Sequence, residues 1–276
     1  MEILEIIKDA FVFPSQNLEK LAIYIVLTFV LGILAVGGIV SLGIALPQAH
    51  VPILGIIFFI IGIILALIIS GYQLAIMKTG IDVEEKATSI DFKNDLINGI
   101  KLLIVSIVYF IIPTIIVFIV GLVTNVPGNV TNIVQELALS PANATVVANS
   151  TGAIGTVSQS AIASLTSSLA ITGIVAFVLF IIFALIETMG QARLANTGSL
   201  AEALNIIEAA KDLTRIGLGK VIAVVLLVII IVAIINAILG YIFGRIPLLS
   251  IISIVIAPYL TFFTLRAYGL LYSDIA

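Results

Sequence analysis

Apolar residues fill six long stretches of this chain, and none of these stretches contains Asp, Glu, Lys or Arg. The stretches are Leu21–Leu46, Pro52–Met77, Leu102–Val123, Leu169–Ile186, Val221–Gly244 and Ile246–Leu265. Each has 18 to 26 residues, and a helix needs about 20 residues to cross the ~30 Å hydrocarbon core of a bilayer. The pattern predicts an all-α fold, a polytopic membrane helical bundle with six transmembrane helices.

The ends of three of these stretches resemble one another, which indicates an internal repeat. The similar segments are Gly71–Gly80, Gly190–Gly198 and Leu265–Gly269. An amphipathic segment follows each of the first two, and another precedes the first stretch. We therefore predict a single membrane domain over residues 1–276, made of three repeats of one amphipathic helix plus one helical hairpin. The predicted repeat boundaries are 1–80, 81–198 and 199–276.

The three amphipathic segments carry apolar residues at helical spacing. These are Ile3, Leu4, Ile7 and Phe11 in the first segment, Phe92, Leu96 and Ile100 in the second, and Leu200, Leu204, Ile207 and Leu213 in the third. Pro14 is expected to end the first helix, and Ser199 with Glu202 predicts a capping box on the third. Such helices lie at the level of the lipid headgroups, apolar face down. The alternative is that they are solvated connectors packed on the rim of the bundle.

Positive charges are distributed unevenly about the six spans. Eleven of the 12 Lys and Arg residues fall on one side, namely Lys8, Lys20, Lys78, Lys86, Lys93, Lys101, Arg193, Lys211, Arg215, Lys220 and Arg266. Arg245 falls on the other side. Because positive charge marks the cytoplasmic side of membrane proteins, the bias predicts a multi-pass protein of the cell membrane with cytoplasmic N- and C-termini.

Composition narrows the range of partners. Hydrophobic residues make up 62% of the chain, above the 45–50% or so of soluble domains. The net charge of −3 argues against nucleic acid, whose binding depends on positive charge. The lipid bilayer is the expected partner, and a homo-oligomer or another membrane protein is a further candidate.

The longest connection, residues 124–160, is predicted to be an extracellular polar loop. It carries three Asn-x-Ser/Thr sequences, at Asn129, Asn143 and Asn149, and its one charge is Glu136. N-glycosylation on the outer side would explain this clustering, because such sequences are acceptors there. The alternative is that a loop rich in Asn, Ser and Thr contains them by chance.

Few residues within the spans can carry chemistry. The polar candidates for helix packing or for lining a pathway are Gln73, Tyr109 and Asn236. Asn236 is the most costly to expose to lipid, so we expect it to hydrogen-bond to another helix. Gly62, Ala66 and Ser70 form a stripe of small residues, which predicts close helix packing.

Catalytic and cofactor chemistry is not indicated. His50 is the one histidine and the chain has no cysteine, so neither a metal site nor a catalytic triad can be assembled. Glycine-rich phosphate-binding motifs are absent from the sequence, and no cofactor is predicted. Glu187, near the end of the fourth span, is expected to be a local, partly solvated acid rather than a proton relay.

The first repeat junction resembles a known family. The residues that carry the resemblance are Gly71-Tyr72, Lys78, Phe92, Asp95, Asn98-Gly99, Lys101, Tyr109 and Pro113. They resemble an uncharacterised archaeal family of multipass membrane proteins, a domain of unknown function. The layout is more distantly similar to membrane domains attached to some bacterial glycerophosphodiesterases. This chain differs at Asn98, where such proteins often carry Asp, and at Ala75, where they often carry Arg.

The resemblance implies an archaeal cell membrane and a six-span fold, without an assigned activity. Polar residues are scarce in the spans, and small residues line the helices, which favours a non-enzymatic structural, accessory or scaffold role. The alternative is a transporter or channel for a small solute or a lipid. The repeat, Asn236, and the prolines at positions 113 and 258 favour that alternative.

Overall fold

The structure is a computed structural model that describes residues 1–43, 52–139 and 157–276. These residues form ten α-helices: α1 Ile3–Gln16, α2 Leu18–Ser41, α3 Pro52–Ile81, α4 Phe92–Val123, α5 Val126–Leu139, α6 Gln159–Thr197, α7 Leu200–Ala203, α8 Ile206–Ile216, α9 Leu218–Arg245 and α10 Ser253–Tyr272. A 3-10 segment, Pro247–Ile252, leads into α10. Six helical segments are long and apolar enough to cross a membrane: α2, α3, α4, α6, α9, and the 3-10 segment with α10. The predicted all-α bundle with six transmembrane helices is confirmed.

The described helices divide into two compact units. The first unit is Met1–Ile107 together with Leu185–Ala276, and the second is Val108–Ala184. These boundaries differ from those of the predicted repeats, whose tripled layout stays a prediction. In the first unit, α1 packs against the C-terminal half of α10, close to the C-terminal end of α3 and the beginning of α9. We call this region, with the neighbouring start of α4 and end of α6, the junction end.

Asn17 separates α1 from α2 and fixes both to the linker that follows α3. Its Nδ2 donates to the carbonyl oxygens of Phe13 and Glu85, each at 3.0 Å, and its Oδ1 accepts from the Ala87 N–H at 2.7 Å. These three bonds satisfy a side chain that water barely reaches. The chain therefore turns at Asn17. The expectation that Pro14 ends the first helix is wrong, because Pro14 lies inside α1.

The first amphipathic helix packs on the bundle with a face other than the predicted apolar one. α1 buries Ile6, Ala10 and Phe13 against the bundle, whereas Leu4 is 77% exposed and Phe11 42% exposed. The helix has apolar residues on both sides, so spacing alone did not identify the side that packs on protein. The exposed apolar side is available to lipid, and the position of α1 at the headgroup level stays a prediction, as does the alternative of a solvated connector.

The second amphipathic segment is not a separate helix. It forms the first turns of α4, which begins at Phe92 and continues without a break into the membrane span. Asp91 caps this helix, since its Oδ1 accepts the N–H groups of Lys93 and Asn94, each at 3.1 Å. Asp95 is buried, so part of the predicted polar side packs on protein, whereas Ile100 on the predicted apolar side is exposed.

The third amphipathic segment is divided into α7 and α8. Asn205 starts a new helix by accepting the Glu208 N–H at 3.2 Å. Ser199 accepts the Glu202 N–H as predicted, but the Glu202 carboxylate binds Arg193 at 2.7 Å instead of closing the capping box. Within α8, Asp212 points inward and is 1% exposed, because it pairs with arginines there.

Two glycine pairs let α3 approach its neighbours at the junction end. A side chain at Gly71 of α3 would collide with the carbonyl of Asp95, and one at Gly99 of α4 would collide with that of Leu67. Gly80 of α3 and Gly269 of α10 face each other in the same way. Only glycine allows backbones this close. These pairs, and not the stripe of Gly62, Ala66 and Ser70, are the closest helix crossings in the described residues.

The stripe of small residues on α3 makes looser contacts. The nearest atom to a side chain built on Gly62 is Cβ of Leu34, at 3.8 Å. Ser70 donates to the carbonyl of Ala66 at 2.8 Å within the same helix. The stripe faces α2 at ordinary van der Waals distance.

The second unit is built from the rest of α4, from α5 and from most of α6. Thr124 and Thr172 hydrogen-bond through their hydroxyls at 3.0 Å, and Phe110 stacks on Phe180 with ring centroids 5.9 Å apart. The predicted polar loop 124–160 is wrong over Val126–Leu139, which forms α5. This helix forms because its apolar residues recur at helical spacing among the polar ones.

The predicted glycosylation residues lie partly in this unit. Asn129 is on α5, where its Nδ2 donates to Ser168 Oγ at 3.1 Å and to the Ser164 carbonyl at 3.3 Å. A sugar on that nitrogen would therefore replace contacts that hold α5 to α6. Asn143 and Asn149 lie outside the described residues, as does His50. Glycosylation of all three asparagines stays a prediction.

Candidate functional site

Arg266 is the most buried charged side chain in the described part of the molecule apart from Asp212, and it organises the junction end. It projects from α10 and is 2% exposed. Its Nε donates to Asp9 of α1 at 2.8 Å, and one terminal nitrogen donates to the carbonyls of Thr79 and Glu84, each at 2.6 Å. The guanidinium also lies 4.6 Å from the centre of the Phe13 ring. One residue thus ties α1, α3, the linker after α3, and α10 together.

A second buried charge, Asp212 of α8, joins α8 to the ends of α6 and α10. Its carboxylate accepts from Arg193 at 2.9 Å, from Arg215 at 2.8 Å and from the Tyr272 hydroxyl at 3.3 Å. Burial of a carboxylate is tolerated only with such partners. The network therefore positions α8 against the bundle.

Glu208 lies on the solvent side of the same network. Lys211 and Arg215 bind its carboxylate at 2.7 Å and 2.9 Å. These hydrogen bonds, that from Lys211 first, lower the pKa of Glu208 below its ordinary value. Hydrogen bonds to Asp212 and then to Glu208 raise the pKa of Arg215. Both shifts favour the charged forms of Glu208 and Arg215, and the ion pairs of Glu208 with Lys211 and Arg215 give α8 a paired surface rather than a basic patch.

A pocket of about 480 Å³ opens beside these networks, and we call it the junction pocket. It lies between the C-terminal ends of α3 and α6, the linker after α3, and the first turns of α4. Its polar lining is Lys78, Thr79, Asp82, Glu84, Thr88, Asn98, Asn196 and Thr197. Leu74 and Leu194 form part of its base and are almost fully buried. Convergent polar groups over an apolar base are typical of a small-molecule site.

A second cavity, the membrane groove, lies between α2 and α10 and has a volume of about 750 Å³. Its lining includes Tyr24, Thr28, Gly32, Val36, Ala257 and Thr261. Val36 is 63% exposed, so the groove opens sideways toward the membrane. Thr28 and Thr261 hydrogen-bond to carbonyls of their own helices. The lining is therefore almost entirely apolar.

Comparison with known families decides where the chain belongs. A family model described as "Protein of unknown function (DUF4013)" matches residues 54–244. The match covers more than half of the chain. The chain belongs to the DUF4013 family. No curated protein and no solved structure matches it.

The segment that matches DUF4013 contains the lining of the junction pocket but not the walls of the membrane groove. Every residue that lines the junction pocket lies within the matched segment. Both walls of the membrane groove lie outside it, because α2 ends at Ser41 and α10 begins at Ser253. Ala75 and Asn98, the two positions at which we expect a difference from the resembling family, both line the junction pocket.

The DUF4013 structure places the predicted site residues in different surroundings. Gln73 donates from Nε2 to the Tyr24 hydroxyl at 2.7 Å, so it joins α3 to α2 at one end of the membrane groove. Tyr109 is fully buried in α4. Asn236 is exposed, and its Nδ2 donates to the carbonyl of Val232 in its own helix at 2.8 Å. The expectation that Asn236 hydrogen-bonds to another helix is therefore not met in the single chain.

Glu187 of this DUF4013 protein is more deeply placed than expected. α6 continues ten residues beyond it, to Thr197. Glu187 is buried, with 8% of its surface exposed. Its Oε1 accepts from Ser106 Oγ of α4 at 2.6 Å and from Gln191 Nε2 at 2.9 Å. The expectation of a partly solvated acid is wrong, because two neutral donors replace water around the carboxylate.

Proposed function

We propose that this DUF4013 protein is a non-enzymatic integral membrane protein with an accessory or scaffold role, and that it holds the hydrocarbon chain of a membrane lipid in the membrane groove. The observation that carries the proposal is the groove itself. It is apolar, lies between two membrane-spanning segments and is exposed along one side. In a bilayer, such a space is filled by whatever apolar chain fits it.

The size of the groove favours a lipid chain over a partner helix. On α2 the lining runs from Tyr24 to Gly37, which is about 20 Å along a helix at 1.5 Å per residue. A helix with its side chains is about 10–12 Å across. A hydrocarbon chain is much thinner and can lie between the two walls of the groove.

We further propose that the junction end faces the cytoplasm of an archaeal cell and that both termini lie there. The contacts of Arg266, Asp212 and Asn17 support this orientation, since they bring α1, the linker after α3, α8 and the end of α10 to one end of the first unit. The positively charged residues other than Arg245 belong to these segments or adjoin them, and positive charge favours the cytoplasmic side.

Filling the groove tests lipid binding. Gly32→Phe should lower labelling of the groove segments by a chain-labelled photoreactive lipid at least several-fold, because the new ring occupies the space of the chain. Nothing lies within 4 Å of a side chain built on Gly32, so the variant should fold. The measurement is mass-spectrometric mapping of labelled peptides after irradiation in vesicles.

Gly240→Phe is the matched control. Gly240 lies in α9, also has nothing within 4 Å, and does not line the groove. It should leave labelling of residues 24–37 and 253–261 unchanged. Equal labelling of these residues in wild type and Gly32→Phe would exclude the groove as a lipid site. So would wild-type labelling no stronger there than on the exposed face of α9.

A transporter for a small solute or lipid is the second candidate function, and Glu187 is the observation that favours it. An ionisable side chain inside a membrane segment is costly and is commonly part of an ion or substrate pathway. The Glu187 carboxylate has two neutral donors, Ser106 and Gln191. A carboxylate in this setting can bind a Na⁺ ion or a proton during transport.

If the protein transports ions, Glu187→Gln should reduce Na⁺ or proton flux into proteoliposomes at least ~10-fold, because the amide keeps the shape but loses the charge. Fluorescent ion indicators inside the vesicles measure the flux. Glu85→Gln, at an exposed position in the linker, should leave it unchanged. Wild-type flux equal to that of empty vesicles, for both ions, would remove ion-coupled transport from consideration.

A further inference from the structure

Two asparagine side chains face the junction pocket without a partner in the described part of the chain. Asn98 comes from α4 and Asn196 from the last turn of α6, and both are half-buried. Each amide offers two N–H donors and one carbonyl acceptor. Polar groups that have no protein partner hydrogen-bond to water, and in a pocket a ligand with matching groups can replace that water. The convergence of the two amides from two helices onto one cavity indicates a ligand that both donates and accepts hydrogen bonds.

The charges around the pocket disfavour an anion. Lys78 is paired with Asp82 at 2.9 Å, and Lys101 donates to the Gly198 carbonyl at 2.8 Å. Both ammonium groups are therefore already engaged. The C-terminal ends of α3 and α6 meet at the pocket, and a helix C-terminus carries partial negative charge. Glu84 adds a full negative charge, so a phosphate or carboxylate would be repelled.

A metal ion is also disfavoured. The described residues contain no group of three or more His, Asp or Glu side chains placed to hold one. The ammonium group of Lys78 lies in the lining and repels a cation. The N–H donors of the two amides need acceptors, which neither a metal ion nor an ammonium group offers, so a neutral ligand fits best.

We propose that the junction pocket binds a neutral polyhydroxyl group, either a free sugar or polyol or the sugar headgroup of a glycolipid. Hydroxyl groups donate and accept, as the amides of Asn98 and Asn196 require. Glu84 and Thr88 accept further hydroxyl hydrogens, and Leu74 and Leu194 contact the carbon face of the ring. This site is separate from the membrane groove, so its test does not depend on the proposed function.

Binding measurements on the full-length protein in nanodiscs test the proposal. The free probes are glucose, myo-inositol and glycerol, and the lipid probe is a monoglycosyl diacylglycerol included in the nanodisc. Saturable binding of a free probe identifies a soluble ligand. Binding of the glycolipid alone, measured by native mass spectrometry, identifies a headgroup. Asn196→Leu and Asn98→Leu should each weaken the observed binding about 10-fold, because each removes a bidentate partner.

Two further variants keep the test decisive. Thr88→Val, an isosteric change at an exposed residue, should weaken binding about threefold without disturbing the fold. Asn236→Leu, the same substitution far along α9, should leave binding unchanged. Three results would overturn the proposal: no binding of any neutral probe, tighter binding of inorganic phosphate than of the neutral probes, or equal loss in Asn196→Leu and Asn236→Leu.

Discussion

Replacing Arg266 by methionine is expected to lower the free energy of unfolding by about 3 kcal/mol, the lower end of the effect of breaking a buried ion pair. Methionine fills similar space but leaves Asp9 and the Glu84 carbonyl without their donor, and water can solvate the Asp9 side chain, which is 37% exposed. For a chain of this size we expect the melting temperature to fall by roughly 6–12 °C. The chain has no tryptophan, so circular dichroism at a helix wavelength in nanodiscs is the suitable measurement.

Arg245→Met is the matched control for this prediction. Arg245 lies at the exposed end of α9, and its guanidinium lies 5.2 Å from the centre of the Tyr241 ring. Losing an exposed contact of this kind costs about 0.5–1 kcal/mol. Equal losses of stability in the two arginine variants would show that Arg266 does not organise the junction end. Arg266→Lys should recover only part of the loss, because an ammonium group cannot reproduce the planar set of donors.

Alanine at Gly71 is expected to destabilise the protein by about 3 kcal/mol or more, which is the upper range for overpacking. The new methyl group would overlap the Asp95 carbonyl, and a backbone atom cannot move aside as a flexible side chain can. α3 and the first turns of α4 would therefore have to move apart. Thermal unfolding and the yield of monodisperse protein after detergent extraction measure the effect.

The same substitution at Gly240 should have the opposite sign. Nothing lies near a side chain built there, and alanine favours a helix over glycine by about 1 kcal/mol. Gly240→Ala should therefore melt at the wild-type temperature or slightly above it. A similar loss of stability at both positions would mean that helix propensity or expression, and not the close crossing, determines the result at Gly71.

The six spans could be predicted from the sequence because few sequences satisfy the physical requirements of a membrane span. A charged side chain in hydrocarbon is costly, so runs without charge mark the membrane. The lengths of the helices could not be predicted in this way. α4 begins ten residues before the charge-free run that starts at Leu102, and α6 extends to Thr197 beyond the run that ends at Ile186. Helices continue past the membrane wherever their residues allow it.

The packing faces were harder to predict, for a related reason. Lipid chains are as apolar as a protein interior, so an apolar helix shows no periodic difference between its two sides. The face of α1 that packs on protein was therefore not identified, and Asn236 was given a partner on another helix that it lacks in the single chain. The charge pattern did not indicate that Arg266 is buried either. The bias in positive charge reports only the side of the membrane on which a residue lies, and not its burial within the protein.

Part of the candidate site was visible in the sequence. Gly71, Gly80 and Gly269 belong to the similar segments at the ends of the spans, and with Gly99 of α4 they form the close crossings. Asn196 belongs to one of these segments and Asn98 precedes Gly99, and both asparagines line the junction pocket. What the sequence did not show is that these segments meet in space, because that depends on how α3, α4 and α6 cross.

The uneven burial along α10 has a consequence for the response to bilayer thickness. Its residues from Pro258 to Tyr272 are largely buried, whereas those at its start, such as Val255, are exposed, and the preceding 3-10 segment has no buried residue. Hydrophobic mismatch is absorbed by tilting where packing is loose. A thicker or thinner membrane should therefore change the distance between the C-terminal half of α2 and the N-terminal half of α10. The geometry around Arg266 should stay constant.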